Sequence, residues 1–422
     1  MRNPRTVMTI AAFVLVLCAA GAVFALVQTT PDTPPAPTTS ERTLPRESQP
    51  GGTLPVEPLP KETSPAQPPE EIRAVWVSFY ELTLPKGMTR SAFTEKYDAL
   101  FRQCEELNLN TIFLHVRPFT DAIYPSEYYP WSEILTGKQG QKPGYDPLEI
   151  LCDLAEKHGL APHAWINPFR AARTDDLTRL SAQNPVFEHL NRNDGWVKKA
   201  AGQYFWNPAV RETHALIYDG VRELLRNYDL AGVHIDDYFY PVTAASFDKA
   251  EYEAYQKNGG ALSQDDWRRD HINAFVHGLC SAVKDASAGA VFSISPAADI
   301  KKNYNSLYAD AALWAREPGY CDWMIPQIYY GFENDAMPFE QTANDWASLV
   351  YHEKCRLIFG LAAYKTGQED EFAGSGALEW TRHSDILARQ VKLARGLPRY
   401  GGFALYSITN IASEERKNLQ IM

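Results

Sequence analysis

The segment Gly232-Val-His-Ile-Asp-Asp-Tyr-Phe-Tyr-Pro241 places two adjacent carboxyls, Asp236 and Asp237, at the end of an apolar run of β character. Two carboxylates held close do not both ionise freely, so one keeps its proton toward neutral pH and can act as an acid. Cleavage of a glycosidic bond needs that division of labour. Alternate residues of a strand face the same side, so Asp236 points inward with His234, whereas Asp237 reaches that side only if the strand ends or bulges there. Asp237 is therefore read as the general acid, and Asp236 as the partner that tunes it or orients a substrate group. The competing structural roles are a helix cap or an ion pair with Arg117 or Arg269.

Other polar residues recur with the same parity. His115 and Arg117 share a face of their run; His163, Trp165 and Asn167 share one on the next; Ser293 with Ser295 and Gln327 with Tyr329 continue the pattern. An unpaired buried polar group costs about 1–3 kcal/mol, so a row of them is expected where a ligand or a complete hydrogen-bond network uses it. Aromatics crowd the adjoining segments: Tyr124, Tyr128, Tyr129 and Trp131, then Tyr204, Phe205 and Trp206, then Tyr238, Phe239 and Tyr240. Sugar rings offer C–H faces to aromatic planes and hydroxyls to polar groups, so a pocket of this mixed character suits a glycan. The candidate substrate-binding set is Arg117, Asp121, Trp131, His163, Asn167, Asn207, His234, Tyr238, Gln327 and Tyr329.

Eight short β-rich runs must position these residues: Ile72-Phe79, Thr111-Arg117, Ala161-Asn167, Gly232-Asp237, Val291-Pro296, Trp323-Tyr330, Arg356-Tyr364 and Gly402-Ile408. Helical patterns lie between them. Phe93, Tyr97, Leu100, Phe101, Cys104 and Leu107 recur at three and four; Asp146-Pro147 opens a helix that Gly159 stops; Asn207-Pro208 precedes a stripe of Val210, His214, Ile217, Val221, Leu224 and Tyr228. Strands and helices alternating eight times predict an α/β fold, a (β/α)8 TIM barrel with loop insertions, whose active site forms at the C-terminal strand ends. A doubly wound open sheet is the rival, and no glycine-rich phosphate fingerprint follows the first run to favour it.

The first 70 residues stand apart. Arg2 and Arg5 precede an uncharged stretch from Val7 to Val27, long enough as a helix to span about 30 Å of hydrocarbon, so residues 1–27 read as a signal peptide or signal anchor. Residues 28–70 hold 12 of the 29 prolines and read as a disordered Pro/Thr-rich linker, leaving 71–422 for the barrel. The basic N-terminal flank predicts an extracytoplasmic domain, anchored to the membrane through its N-terminal segment or secreted. With 41 Lys plus Arg against 52 Asp plus Glu, a net charge of −11, there is no basic footprint for nucleic acid. Five cysteines beyond Cys18, with no CxxC spacing, indicate neither a disulfide framework nor a zinc site, and no cofactor is implied.

Residues 72 to about 408 resemble the bacterial glycoside-hydrolase-family-ten-like proteins. The resemblance is carried by Arg73-Ala-Val-Trp-Val77, His115-Val-Arg-Pro118 with Asp121-Ala122, Pro130-Trp-Ser132, Pro143-Gly-Tyr-Asp-Pro147, His163-Ala-Trp-Ile-Asn-Pro168, the Asp236–Asp237 segment, Asp266-Trp-Arg-Arg-Asp270, Ile294-Ser-Pro296 and Pro326-Gln-Ile-Tyr329. It implies a TIM barrel in the cell envelope that hydrolyses glycans, with peptidoglycan strands the suspected substrate. One departure from barrel glycosidases at large bears on mechanism: the seventh run, Phe359-Gly-Leu-Ala-Ala-Tyr364, offers no carboxylate. A second group could come from Glu127, Glu133 or Glu333, or the substrate's own N-acetyl group could attack the anomeric carbon. Two other readings remain open, a non-catalytic glycan-binding barrel and a metal-dependent hydrolase using His115, His163, His234 and Asp236.

Overall fold

The computed structural model describes residues 70–421. The expected signal or anchor segment and nearly all of the linker lie outside these residues; among those described, no helix is long and apolar enough to cross a membrane.

Eight parallel strands close into a barrel: β1 (Ile72–Val77), β2 (Thr111–Arg117), β3 (Ala161–Ile166), β4 (Gly232–Ile235), β5 (Val291–Ile294), β6 (Trp323–Met324 continued by Gln327–Ile328), β7 (Arg356–Leu361) and β8 (Tyr400–Leu405). Each pairs with its sequence neighbour, and β8 returns to β1 with Ile72 opposite Gly402, so no edge is left unpaired. β6 is interrupted at Ile325-Pro326 because proline has no N–H for the ladder, but both halves pair with β7.

Side-chain parity divides the core into two layers, as a barrel requires. Ala74, Trp76, Phe113, Trp165, Trp323, Ile325, Ile358 and Ala404 fill the interior. The alternate residues, among them Val75, Ile112, Leu114, Val233, Phe292, Leu357 and Leu405, pack outward against the helices. The interior is tight at Gly232, where a Cβ would lie 2.2 Å from the Val291 carbonyl oxygen and 2.6 Å from His163 Nδ1.

The outer jacket follows the periodicity in the sequence. In α1 (Arg90–Glu106), Phe93, Tyr97, Leu100, Phe101 and Cys104 are buried; in α2 (Pro147–Lys157), the Asp146 side chain accepts from the Leu148 and Glu149 amides; α3 (Arg211–Asn227) buries Ile217, Val221 and Leu224. α4 (Gln264–Ala286), capped by Ser263, packs on α3. After β3 the chain forms a small antiparallel sheet from Arg170–Ala172, Val197–Ala200 and Gln203–Trp206, one of the expected insertions over the barrel mouth.

Candidate active site

β4 ends at Ile235, and the chain turns at once, with the Phe239 amide donating to the Asp237 carbonyl at 3.0 Å. That early end lets neighbouring residues of opposite strand parity both turn to the mouth. Asp236 is buried below, and Asp237 stands partly exposed at the rim.

Asp236 is held from β3. The Asn167 amide donates to Asp236 Oδ1 at 2.5 Å, and its oxygen meets His115 Nε2 at 2.8 Å. Because the Asn167 NH2 is spent on the carboxyl, its oxygen must accept, which places a proton on His115 Nε2. The His115 ring is stacked on Trp165, 3.7 Å between centroids and 9° from parallel, and burial beside the Arg170 charge keeps it neutral, well below the usual histidine range. Asp236 moves the other way. Burial, then the charge of Asp237, push its carboxyl up to about 7 against the pull of Asn167 and Arg170. Burial also raises Asp237, opposed by a hydrogen bond from the Gln327 side chain and by the charges of Lys302 and Arg170. Two such groups share their protons, so the pair carries at most about one charge near neutrality.

The buried cation acting on both carboxyls is Arg170, which the sequence reading did not single out. Its guanidinium is clamped between the rings of Phe119 and Tyr238, 4.5 and 4.6 Å from their centroids. Arg117, expected here, lies elsewhere. The β2–β3 register shifts between His115 and Arg117, so Val116 is an inserted residue and Arg117 pairs with outward-facing Ile166. A bulge reverses parity beyond it. Arg117 therefore lies over Tyr129 at 5.1 Å and donates to the Phe119 carbonyl at 3.3 Å, behind the barrel wall. Arg269 pairs with Asp266 on the surface, 2.6 Å away, and is not the carboxyl pair's partner either.

Several other expected contacts are structural. His234 accepts from Trp76 Nε1 at 2.9 Å and meets Ser293 Oγ at 2.8 Å, so both ring nitrogens are spoken for. His163 packs deep in the barrel against Phe113 and Trp323, where burial drops it to about 3. Asp121 accepts from Gln139 at 3.0 Å inside the loop after β2, and Trp131 is half-buried in that same loop. Asn207 is fully buried, donating to the Gly195 carbonyl at 3.1 Å and accepting from the Ala209 amide at 3.1 Å. The contacts of these five lie within the barrel and its loops, although His163 Nδ1 and Asp121 Oδ1 have no hydrogen-bond partner among the described residues. The histidine–aspartate zinc cluster does not assemble either: among the described residues no three candidate ligands converge.

Gln327, Tyr238 and Tyr329 do gather around the pair. Gln327 donates to the Ser295 carbonyl at 3.0 Å as well as meeting Asp237. Tyr238, exposed, roofs Arg170. Tyr329 stacks on Tyr406, 5.9 Å and 19° between rings, with Tyr364 edge-on, and the tyrosine hydroxyl feels both carboxyls. Tyr406, at the end of β8, was not foreseen; it also feels Asp236, and only its place after a strand hinted at it. The three alternative carboxylates lie elsewhere. Glu133 pairs with Arg173 at 2.5 Å, Glu333 with Arg382, and exposed Glu127 lies in a pocket with Asp146, Glu149 and Glu223 beside α2 and α3.

Residues 71–374 match the family described as glycosyl hydrolase-like 10. A Bacillus subtilis (strain 168) protein named glycosyl hydrolase YngK is 36% identical over 354 residues, covering 78% of this chain and 68% of the relative. Glycosyl hydrolase DigH of Escherichia coli (strain K12) is 31% identical over 356 residues, covering 78% and 79%. Among solved structures, the glycoside hydrolase domain of PgaB (BpsB) from Bordetella bronchiseptica superposes with a TM-score of 0.55 at 14% identity, covering 83% of this chain and 98% of that one, a likeness of fold. A barrel with a carboxyl pair at its mouth and relatives of this identity leads to one assignment: the chain belongs to the glycosyl hydrolase-like 10 family and is a glycosidase.

Proposed function

We propose that this glycosidase cleaves peptidoglycan glycan strands in the bacterial cell envelope, with Asp237 as general acid and Asp236 as its partner. The observation that carries the reading is the carboxyl pair itself, one member held by Asn167 in the floor and the other, beside Gln327, partly exposed at the rim where a glycosidic oxygen can reach it. Asp236, raised to about 7, is a reservoir for the proton that Asp237 delivers. Gln327, Tyr238 and Tyr329 form the sugar-binding wall. The N-terminal segment of the sequence supports export.

Attack on the anomeric carbon needs a nucleophile. Glu133 and Glu333 are ion-paired elsewhere, Glu127 lies in a separate pocket, and β7 ends without a carboxylate, which favours the N-acetyl oxygen of the substrate. Asp236 then faces the N-acetyl nitrogen and stabilises the charge that develops there. Peptide-free glycan strands incubated with the full chain should yield new reducing ends. Asp237→Asn should lower that rate by about 100-fold or more with an unchanged circular dichroism spectrum; full activity in the variant would remove the assignment. NMR of the first product should show a retained anomer, and an inverted one would exclude the N-acetyl route.

A further inference from the structure

Arg170 is more than nine-tenths buried, yet among the described residues none of its five N–H donors meets a hydrogen-bond acceptor and it forms no ion pair. Its nitrogens are not among the fully buried side-chain atoms left without a partner, so they keep contact with solvent, and a cation this deep can exchange that water for an anion. The neighbouring acids do not supply it. Both Asp236 and Asp237 feel the positive charge, but the guanidinium lies against the Phe119 and Tyr238 rings and neither carboxylate closes on it. In the small sheet Arg170 opposes Phe205 and Ala172 opposes Tyr204, so the ladder is interrupted by an extra residue, Ala171, directly after Arg170.

We infer that Arg170 is the receptor for a carboxylate carried by the substrate, and so the residue that selects an acidic sugar; this rests on the glycan-cleaving reading above. A guanidinium whose carbon lies against two rings while its donors have no acceptor can take a carboxylate through two parallel hydrogen bonds. Its orientation is set before binding, so little side-chain entropy is lost when the anion arrives. The rest of the molecule disfavours such a ligand. The chain carries a net charge of −11 and the pair beside Arg170 adds to the repulsion, so an anionic sugar needs one dedicated cation. In a peptidoglycan strand that anion is the lactyl carboxylate of N-acetylmuramic acid, next to the N-acetyl group that the pair would address.

The test compares peptide-free glycan strands with the same strands after methyl esterification of their carboxyls. Dissociation constants are measured by calorimetry on full-length protein carrying Asp237→Asn, so that turnover does not interfere. With Arg170 intact, esterification should weaken binding about 10- to 100-fold. In Arg170→Gln, acid and ester should bind alike, and in Arg170→Lys, which keeps the charge without the fork, the ratio should fall between. Any effect of Arg170 on the protonation of the pair acts on both ligands and cancels in the ratio. Equal binding of acid and ester with Arg170 intact overturns the inference, as does a ratio that survives in Arg170→Gln; the first comparison decides even if the variants do not fold. Failure of the wild-type chain to release reducing ends would overturn the proposed function instead, and leaves this ratio measurable.

Discussion

At the residue scale, the groups at the mouth set one another's state: stacked, neutral His115 meets Asn167, Asn167 donates to Asp236, and the charge of Asp237 helps raise the Asp236 carboxyl. Asp236→Asn should test the pair's cost as well as its use. The asparagine oxygen can still accept from Asn167, but the buried charge is gone. Because the Asp236 carboxyl titrates near 7 when folded and near 4 when unfolded, the folded state holds the extra proton between those values, and wild-type stability falls as pH rises through them. The variant should therefore melt at a higher temperature than wild type at pH 8 and close to wild type at pH 4, while losing activity. A melting temperature below wild type at pH 8 would refute the account. Asn167→Leu should have the opposite electrostatic effect. Loss of a donor that lowers the carboxyl moves the alkaline limb of the kcat/KM profile upward in pH, as a pH–rate series would show. Asp236 and Asp237 were legible in sequence because paired acids after an apolar run have few other uses. Arg170 was not, because its role is set by two rings, one far from it in sequence at Phe119 and one in the loop at Tyr238.

At the element scale, the loop after β4 must hold Asp237 still, and it is anchored by a buried ion pair. Arg268 of α4 donates to both oxygens of Asp248 at 2.7 Å and to the Thr243 and Ala244 carbonyls at 3.0 and 2.9 Å, while Tyr240 donates to the same carboxylate. Removing one member of such a pair strands the other without water. Arg268→Met should cost about 3–5 kcal/mol, read as a lower midpoint in urea unfolding, and should reduce activity at temperatures where the variant is still folded. A change under about 1 kcal/mol would show that the clamp is dispensable. Two other local features decided which side chains reach the mouth. The inserted Val116 sends Arg117 behind the wall, and an insertion after β3 carries Arg170 to the Phe119 and Tyr238 rings. Strict alternation was a sound rule for His115, Trp165 and Asp236, but a bulge leaves no signature in composition and inverts the rule for every residue after it.

At the scale of the whole molecule, the acids divide into two groups with opposite pH behaviour. Asp236 and Glu415, both buried, are raised to about 7, so they favour the folded state at acid pH and oppose it as pH climbs. Asp98, lowered to about 2 by hydrogen bonds from Lys157 and His158, contributes the reverse, stability present above about 4 and lost as pH falls toward 2. The net charge of −11 adds self-repulsion at high pH. Thermal unfolding followed from pH 3 to 9 should thus show a maximum on the acid side, near pH 5 to 6. A maximum above pH 8 would mean that the raised carboxyls do not govern the curve.

Strand number, helix stripes, the (β/α)8 class and the acid pair followed from sequence alone, because each is written in a short-range period or a local cluster. The division of polar residues between a working mouth and a structural interior was decided only by the tertiary structure. His163, His234 and Arg117 have the residue types of a binding site, yet their partners Trp323, Trp76, Ser293 and Tyr129 come from other elements. Whether a buried polar group serves a ligand or the fold depends on what it meets across the barrel, and that is a property of closure and register.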